Sequence, residues 1–161
     1  MLGSLVSAAA CDRVGTLIED AVAKGAVLAA GGRGTGTIMP ATIVDHVTPA
    51  MRIYGEESFG PGVTLVRVSG IDEAVRVAND TEYGLSSAAF GRDIARAIGV
   101  GKRIESGICH VNAPTVHDEP QMPSGGVKAS GYGRFGGKAA IDEFIELRWI
   151  TVQTGGRHYP F

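Results

Sequence analysis

The sequence predicts an α/β fold built on a mostly parallel sheet with helices on both faces. Two patterns predict it. Short β-branched, apolar runs alternate with amphipathic segments of roughly ten to fifteen residues, and alternation on that scale belongs to right-handed βαβ units. The helical segments are also bounded by capping residues and glycines.

The first helical segment carries Val14, Leu17, Ile18, Ala21 and Val22 along one stripe, with Ser7 as its N-cap and Gly25 as its stop. Ala26 to Ala30 is a short apolar run ending at Gly31 and Gly32, and Thr37 to Val44, with Pro40 inside it, reads as an extended edge segment. Gly62 to Val68 has the composition of a strand buried on both faces. A helix begun near Asp72 follows, its inner stripe made of Ile71, Ala74, Val75 and Ala78. Leu85 to Phe90 repeats the strand signal. Asp93 then caps a helix with Ile94, Ala97, Ile98 and Ile104 on its apolar side, Gly107 ends it, and Ile108 to Val111 is the next strand. Residues 113–137, with Pro114, Pro120, Pro123 and many glycines, read as a loop laid over the sheet, and loops of that length are usually functional. A short helix around Lys138 to Phe144 precedes the β-prone run Leu147 to Val152, an edge strand open to pairing with another chain.

Composition narrows the class. At 161 residues and 44% apolar side chains, the chain suits one globular unit. The net charge is −2, with both signs scattered, which recommends neither nucleic acid nor an anionic membrane as a partner. No apolar run approaches the roughly 20 residues of a membrane span, and the start lacks the basic region of a secretory signal, so a cytoplasmic location is expected. Two cysteines, Cys11 and Cys109, fit a reducing compartment. Both read as structural thiols, Cys11 on the buried stripe of the first helix and Cys109 inside a buried strand. His46, His110, His117 and His158 are too dispersed for metal-ligand spacing, so no metal is expected. The glycines at 125–133 lack the strand-to-helix setting of a phosphate cradle. They suit backbone with positive φ passing close to a pocket, anchored by Lys128 and Arg134.

Four stretches in order carry a family resemblance: Glu56-Glu57-Ser58-Phe59-Gly60-Pro61, Ala78-Asn79-Asp80-Thr81-Glu82-Tyr83-Gly84-Leu85, Ser106-Gly107-Ile108-Cys109-His110-Val111-Asn112, and Gly125-Gly126-Val127-Lys128-Ala129-Ser130-Gly131-Tyr132-Gly133-Arg134. Together they resemble the aldehyde dehydrogenases, most nearly the aromatic-aldehyde branch of salicylaldehyde, benzaldehyde and vanillin dehydrogenases. The resemblance implies part of an oxidoreductase that converts an aromatic aldehyde to its acid with NAD or NADP. It implies that residues 1–145 are the C-terminal part of the catalytic domain and 146–161 an oligomerisation strand and tail. The expected partners are the aldehyde, further copies in a homo-oligomer, and an N-terminal portion that shares the cofactor.

By the same resemblance Glu57 accepts hydrogen bonds from ribose hydroxyls, and Phe59, two residues on and on the same face of an extended segment, lies beside the nicotinamide ribose. Thr115, Val116, His117 and Ser124 stand where the family lines its aldehyde entrance. Ser124 replaces an aromatic residue of many members, Phe135 replaces a glutamate, and Gly55 and Gly62 are unusual choices. The nucleophilic cysteine and the glutamate base match nothing in the chain, so no catalytic residue is assigned and the polypeptide alone is expected to be inactive. The alternative reading is a non-catalytic oligomerisation or interaction module that keeps the fold.

Overall fold

Ser7 opens the first helix as its position predicts. Its backbone is extended and its hydroxyl accepts a hydrogen bond from the Ala10 N–H at 3.1 Å, starting α1 (Ala8–Ala23). The buried face of α1 is Cys11, Val14, Leu17, Ile18 and Ala21, while Val22 at its margin is exposed. Gly25 takes a φ of 100° just past the helix, where a side chain would be strained.

The structure is a computed structural model that describes residues 2–160. Where composition suggested one globular unit, the chain divides into two compact units, Met1–Ala74 and Val75–Phe161. Each has its own sheet.

In the first unit, β1 (Val27–Ala30) pairs antiparallel with β2 (Thr42–Asp45), and β2 pairs parallel with β3 (Gly62–Thr64). The strand after Pro40 is therefore central, not an edge. The proline lies just ahead of the ladder, so it removes none of its donors. Thr42 and Val44 point into the core, and Ile43 faces outward beside its partner Val63. The predicted strand from Gly62 to Val68 is shorter and less buried than its composition suggests, because β3 has a neighbour on one side only. A one-turn helix, α2 (Arg52–Gly55), adds Ile53 to the core of α1, Met39, Val44, Val47 and Met51. Buried Thr42 is satisfied: its hydroxyl donates toward Pro40 O at 3.0 Å and accepts from the Gly32 N–H at 3.0 Å.

Helix α3 (Ile71–Asn79) leads to the second unit, where β4 (Ser86–Ala89) and β5 (Ile108–Val111) pair in parallel across the connecting helix α4 (Ile94–Gly101). This is the βαβ unit that the alternation predicts. Asp93 caps α4, accepting from the Arg96 N–H at 3.0 Å. The helix stops at Gly101, well before Gly107, and Ile104 falls in the turn beyond it. Of its predicted apolar side Ala97 is buried, while Ile94 and Ile98 stay exposed.

Residues 113–136 hold a 3-10 turn at Lys128–Ser130 and an isolated bridge between Ser124 and Phe135, and α5 (Gly137–Glu143) follows. The run Leu147 to Val152 joins no sheet, with Leu147 96% and Trp149 90% exposed. A strand is a ladder, and β propensity without a partner strand does not make one. Among the described residues no helix is long and apolar enough to cross a membrane.

Asp45 closes the first sheet electrostatically. The Arg67 guanidinium donates to its carboxylate, with the Nε contact at 2.9 Å, and the His46 N–H adds a bond at 2.7 Å. Against the opposing effect of desolvation, these hold its carboxyl down to about 2 from an ordinary 3.8. A carboxyl depressed in the folded state stabilises it above the unfolded value and loses that contribution as the proton returns. The first unit is therefore expected to weaken as pH falls from 3.8 toward about 2. Asp45→Asn should flatten that limb in urea midpoints measured across pH. Ser7→Ala, which removes the cap of α1, is expected to cost about 1 kcal/mol in the same assay.

Candidate functional site

The first candidate constellation lies in the loop after α2. Glu56 is committed to structure: the Arg52 guanidinium grips its carboxylate at 2.7 and 3.0 Å and holds it below its ordinary value. Glu57 differs. Its backbone carbonyl accepts from Arg13, but among the described residues its carboxylate makes no hydrogen bond or ion pair, and the residue is exposed. Phe59 is 76% exposed.

The expectation that Glu57 and Phe59 share one face of an extended segment is corrected, because Phe59 takes a φ of 49° and the chain turns there. The cause is next door. A Cβ on Gly60 would lie 2.8 Å from Val14 Cγ2, so the backbone presses against α1 at that residue and must bend to reach it. An acidic group free to accept hydrogen bonds and an exposed ring nonetheless stand two residues apart on one turn.

The second constellation is a groove of about 410 Å³ in the other unit, lined by Cys109, His110, His117, Glu119, Met122 and Ser124 among others. His117 and Ser124 thus meet, whereas Thr115 and Val116 are not part of its wall. Thr115 uses its carbonyl to accept from the Ser86 hydroxyl at 3.0 Å, and Val116 is 91% exposed.

The histidines are less dispersed than their spacing suggests. His110 at the end of β5 and His117 in the returning loop pack edge to face, ring centres 5.8 Å apart. His117 Nε2 lies 3.2 Å from Glu119 Oε1, and His110 Nε2 is buried with no hydrogen-bond partner. Among the described residues no three His, Cys, Asp or Glu side chains gather as a metal site. The reading of Cys109 as buried is corrected, since it is exposed; Cys11 is buried as expected. Cys109 packs toward α4, its Sγ within 2.8 Å of where a Cβ on Gly101 would stand.

The glycine-rich loop is tied down by its cations. Lys128 Nζ donates to the carbonyls of Asn79 and Thr81 at 2.9 and 3.2 Å and pairs with Glu105 at 2.7 Å. Arg134 donates to the carbonyls of Gly126 and Gly133 at 2.9 and 2.6 Å. Ser124 and Phe135 exchange backbone bonds of 2.7 Å, which fixes the rim of the groove.

Reading along the chain missed two asparagines that pin these segments. Asn79 bonds Arg103 O and the Glu105 N–H, and Asn112, with φ 56°, exchanges two bonds with the Gly91 backbone. An Asn that closes a helix or strand just before a turn was the available signal.

The chain is similar to known proteins. The model of the aldehyde dehydrogenase family matches residues 1–150. The vanillin dehydrogenase of Pseudomonas fluorescens is 57% identical over 160 residues, an overlap of 99% of this chain and 33% of that protein. The crystal structure of a salicylaldehyde dehydrogenase from Pseudomonas putida G7, complexed with salicylaldehyde, superposes with a TM-score of 0.93 at 52% identity, covering 99% of this chain and 33% of the other. That of a Mycobacterium tuberculosis aldehyde dehydrogenase complexed with NAD+ superposes with a TM-score of 0.88 at 28% identity, over 98% and 33% of the two chains. The chain spans about a third of the length of the curated relatives it matches.

The groove depends on a backbone contact that admits no side chain. A Cβ on Gly107 would stand 1.7 Å from Gly125 O, so Gly107→Ala must push the loop off the start of β5. The expected cost is about 3 kcal/mol, at the upper end for overpacking. Amide hydrogen exchange should quicken at Ser124 and Val127 in the variant.

Proposed function

The chain belongs to the aldehyde dehydrogenase family, and from that premise we propose that it supplies part of the nicotinamide-nucleotide site and a wall of the aldehyde pocket to an enzyme oxidising an aromatic aldehyde with NAD or NADP. The observation that carries the reading is the uncommitted, exposed carboxylate of Glu57 beside the exposed ring of Phe59. A carboxylate accepts from both hydroxyls of a ribose, and such charge-assisted bonds are stronger than neutral ones. The ring offers an apolar surface to the nucleoside. When bound, the cofactor accepts the hydride that the aldehyde loses.

The groove in the second unit suits the other substrate. Its His117 and Ser124 are polar points in a wall that also holds Ile108, Met122 and Pro123, the mixture that orients a small apolar ligand. Thr115 and Val116 are assigned to the approach to this groove. Ser124, smaller than the aromatic residue expected there, leaves the wall open. The aromatic class of substrate is supported by the relatives that act on vanillin and salicylaldehyde.

No catalytic residue is assigned within the chain. Cys11 is packed in a core and Cys109 lies against α4, the setting of structural thiols. The 161-residue polypeptide is therefore inactive by itself. Residues 146–161 are assigned as an oligomerisation strand and tail, since Leu147, Trp149 and Val152 are exposed apolar residues of strand-forming type.

The same exposed run favours the second reading, a non-catalytic assembly module. One measurement tests the inactivity both readings expect, and a second separates them. The purified polypeptide, given NAD+ and benzaldehyde, should form no NADH above the blank, and an appreciable rate defeats the assignment. Grafted in frame over the matching third of the Pseudomonas putida salicylaldehyde dehydrogenase, it should sustain NAD+-dependent oxidation. Glu57→Gln in that graft should raise the KM for NAD+ about tenfold, the worth of one charge-assisted hydrogen bond. A graft that folds and assembles without oxidising salicylaldehyde would favour the module.

A further inference from the structure

We propose that Arg13 is a positioning residue that sets the Glu57–Phe59 turn for the nicotinamide nucleoside, an inference that rests on the cofactor role proposed for Glu57. Arg13 reaches from α1 to the loop and donates through one terminal nitrogen to the carbonyls of Glu57 and Ser58, the latter at 3.3 Å. Its other terminal nitrogen stands 3.9 Å from Glu56 Oε2.

These contacts differ in weight. The Glu56 pair is long and half exposed, and Arg52 already holds that carboxylate with two closer bonds. The carbonyl contacts are the specific ones. They orient the two peptide groups that immediately precede Phe59, whose left-handed backbone persists only where its surroundings impose it. One residue along α1, Val14 is buried and receives the backbone of Gly60. Consecutive residues of one well-anchored helix thus hold the turn on both sides of Phe59.

Arg13 also leaves the Glu57 carboxylate alone. Its donated bonds go to the backbone oxygens of Glu57 and Ser58, and among the described residues the Glu57 carboxylate has no hydrogen bond or ion pair. The carboxylate is thereby left unpaired and able to accept from a ribose.

The test uses the isotopically labelled 161-residue chain titrated with nicotinamide mononucleotide, read at the amides of Glu57, Ser58 and Phe59. In the unmodified chain these amides should shift saturably. Arg13→Met and Glu57→Gln should each weaken binding about tenfold, and Arg13→Lys, which keeps the charge but one donor nitrogen in place of the planar fork, should fall between. In the absence of nucleotide, Arg13→Met should also move the Glu57 and Ser58 carbonyl carbons and the Phe59 amide-to-Hα coupling.

Ser7→Ala is the control for stability alone, since it weakens α1 without touching the turn. If it weakens binding as much as Arg13→Met, the effect is loss of fold and the proposal is overturned. Binding by Arg13→Met as tight as that of the unmodified chain, with Glu57→Gln weakened, overturns Arg13 and leaves the cofactor site standing. Absence of saturable shifts at Glu57 to Phe59 in the unmodified chain overturns the cofactor site and the inference with it.

Discussion

The first unit depends on one buried helix face. Cys11, Val14, Leu17, Ile18 and Ala21 remove almost all of their surface from water against Val44, Met39, Met51 and Ile53, and burial of that kind is the main favourable term in folding. Because the face is fixed, so is the rim beside it. Arg13 and Val14 are adjacent residues, one turned toward the loop and one toward the core. The loop that carries Glu57 and Phe59 takes its bend from that helix.

The second unit is held differently. Its residues are small where backbones meet: Gly107 against Gly125, and Gly84 against Glu105 and Val127. Close approach lets the Val127 and Ala129 N–H groups of the glycine-rich loop donate to the carbonyls of Gly84 and Glu82, and Lys128 then closes the arrangement by capping the carbonyls of Asn79 and Thr81. Three of the four sequence stretches that carry the family resemblance are in this unit. Their shared property is steric, since each offers a glycine or a short polar side chain at a point of contact. The groove is the space left where the returning loop stands off from β5.

The free groups of the two constellations share a physical character. Glu57 keeps a charge without a partner, Phe59 keeps its ring in the open, and His110 buries a ring nitrogen with nothing bonded to it. The exposed ring and the buried nitrogen carry a free-energy cost in the chain as it stands, whereas the exposed Glu57 carboxylate is solvated and simply available. Sites that bind ligands commonly retain such costs, because the ligand relieves them. Elsewhere the chain satisfies its buried polar groups closely, as Thr42 and Asp45 show.

What the sequence determined by itself is local. The cap at Ser7, the stripe of α1, the cap at Asp93, the β4–α4–β5 order and the anchoring cations Lys128 and Arg134 follow from side-chain chemistry within a few residues, and all are present. Tertiary structure decided what depends on a distant partner. Phe59 turns because α1 lies against Gly60, β3 is thin because it has a neighbour on one side only, His110 meets His117 because a loop returns, and Leu147 to Val152 forms no strand because nothing among the described residues pairs with it. Hydrogen-bond ladders and burial are properties of pairs of segments, and periodicity along one segment carries no record of which segment will lie beside it.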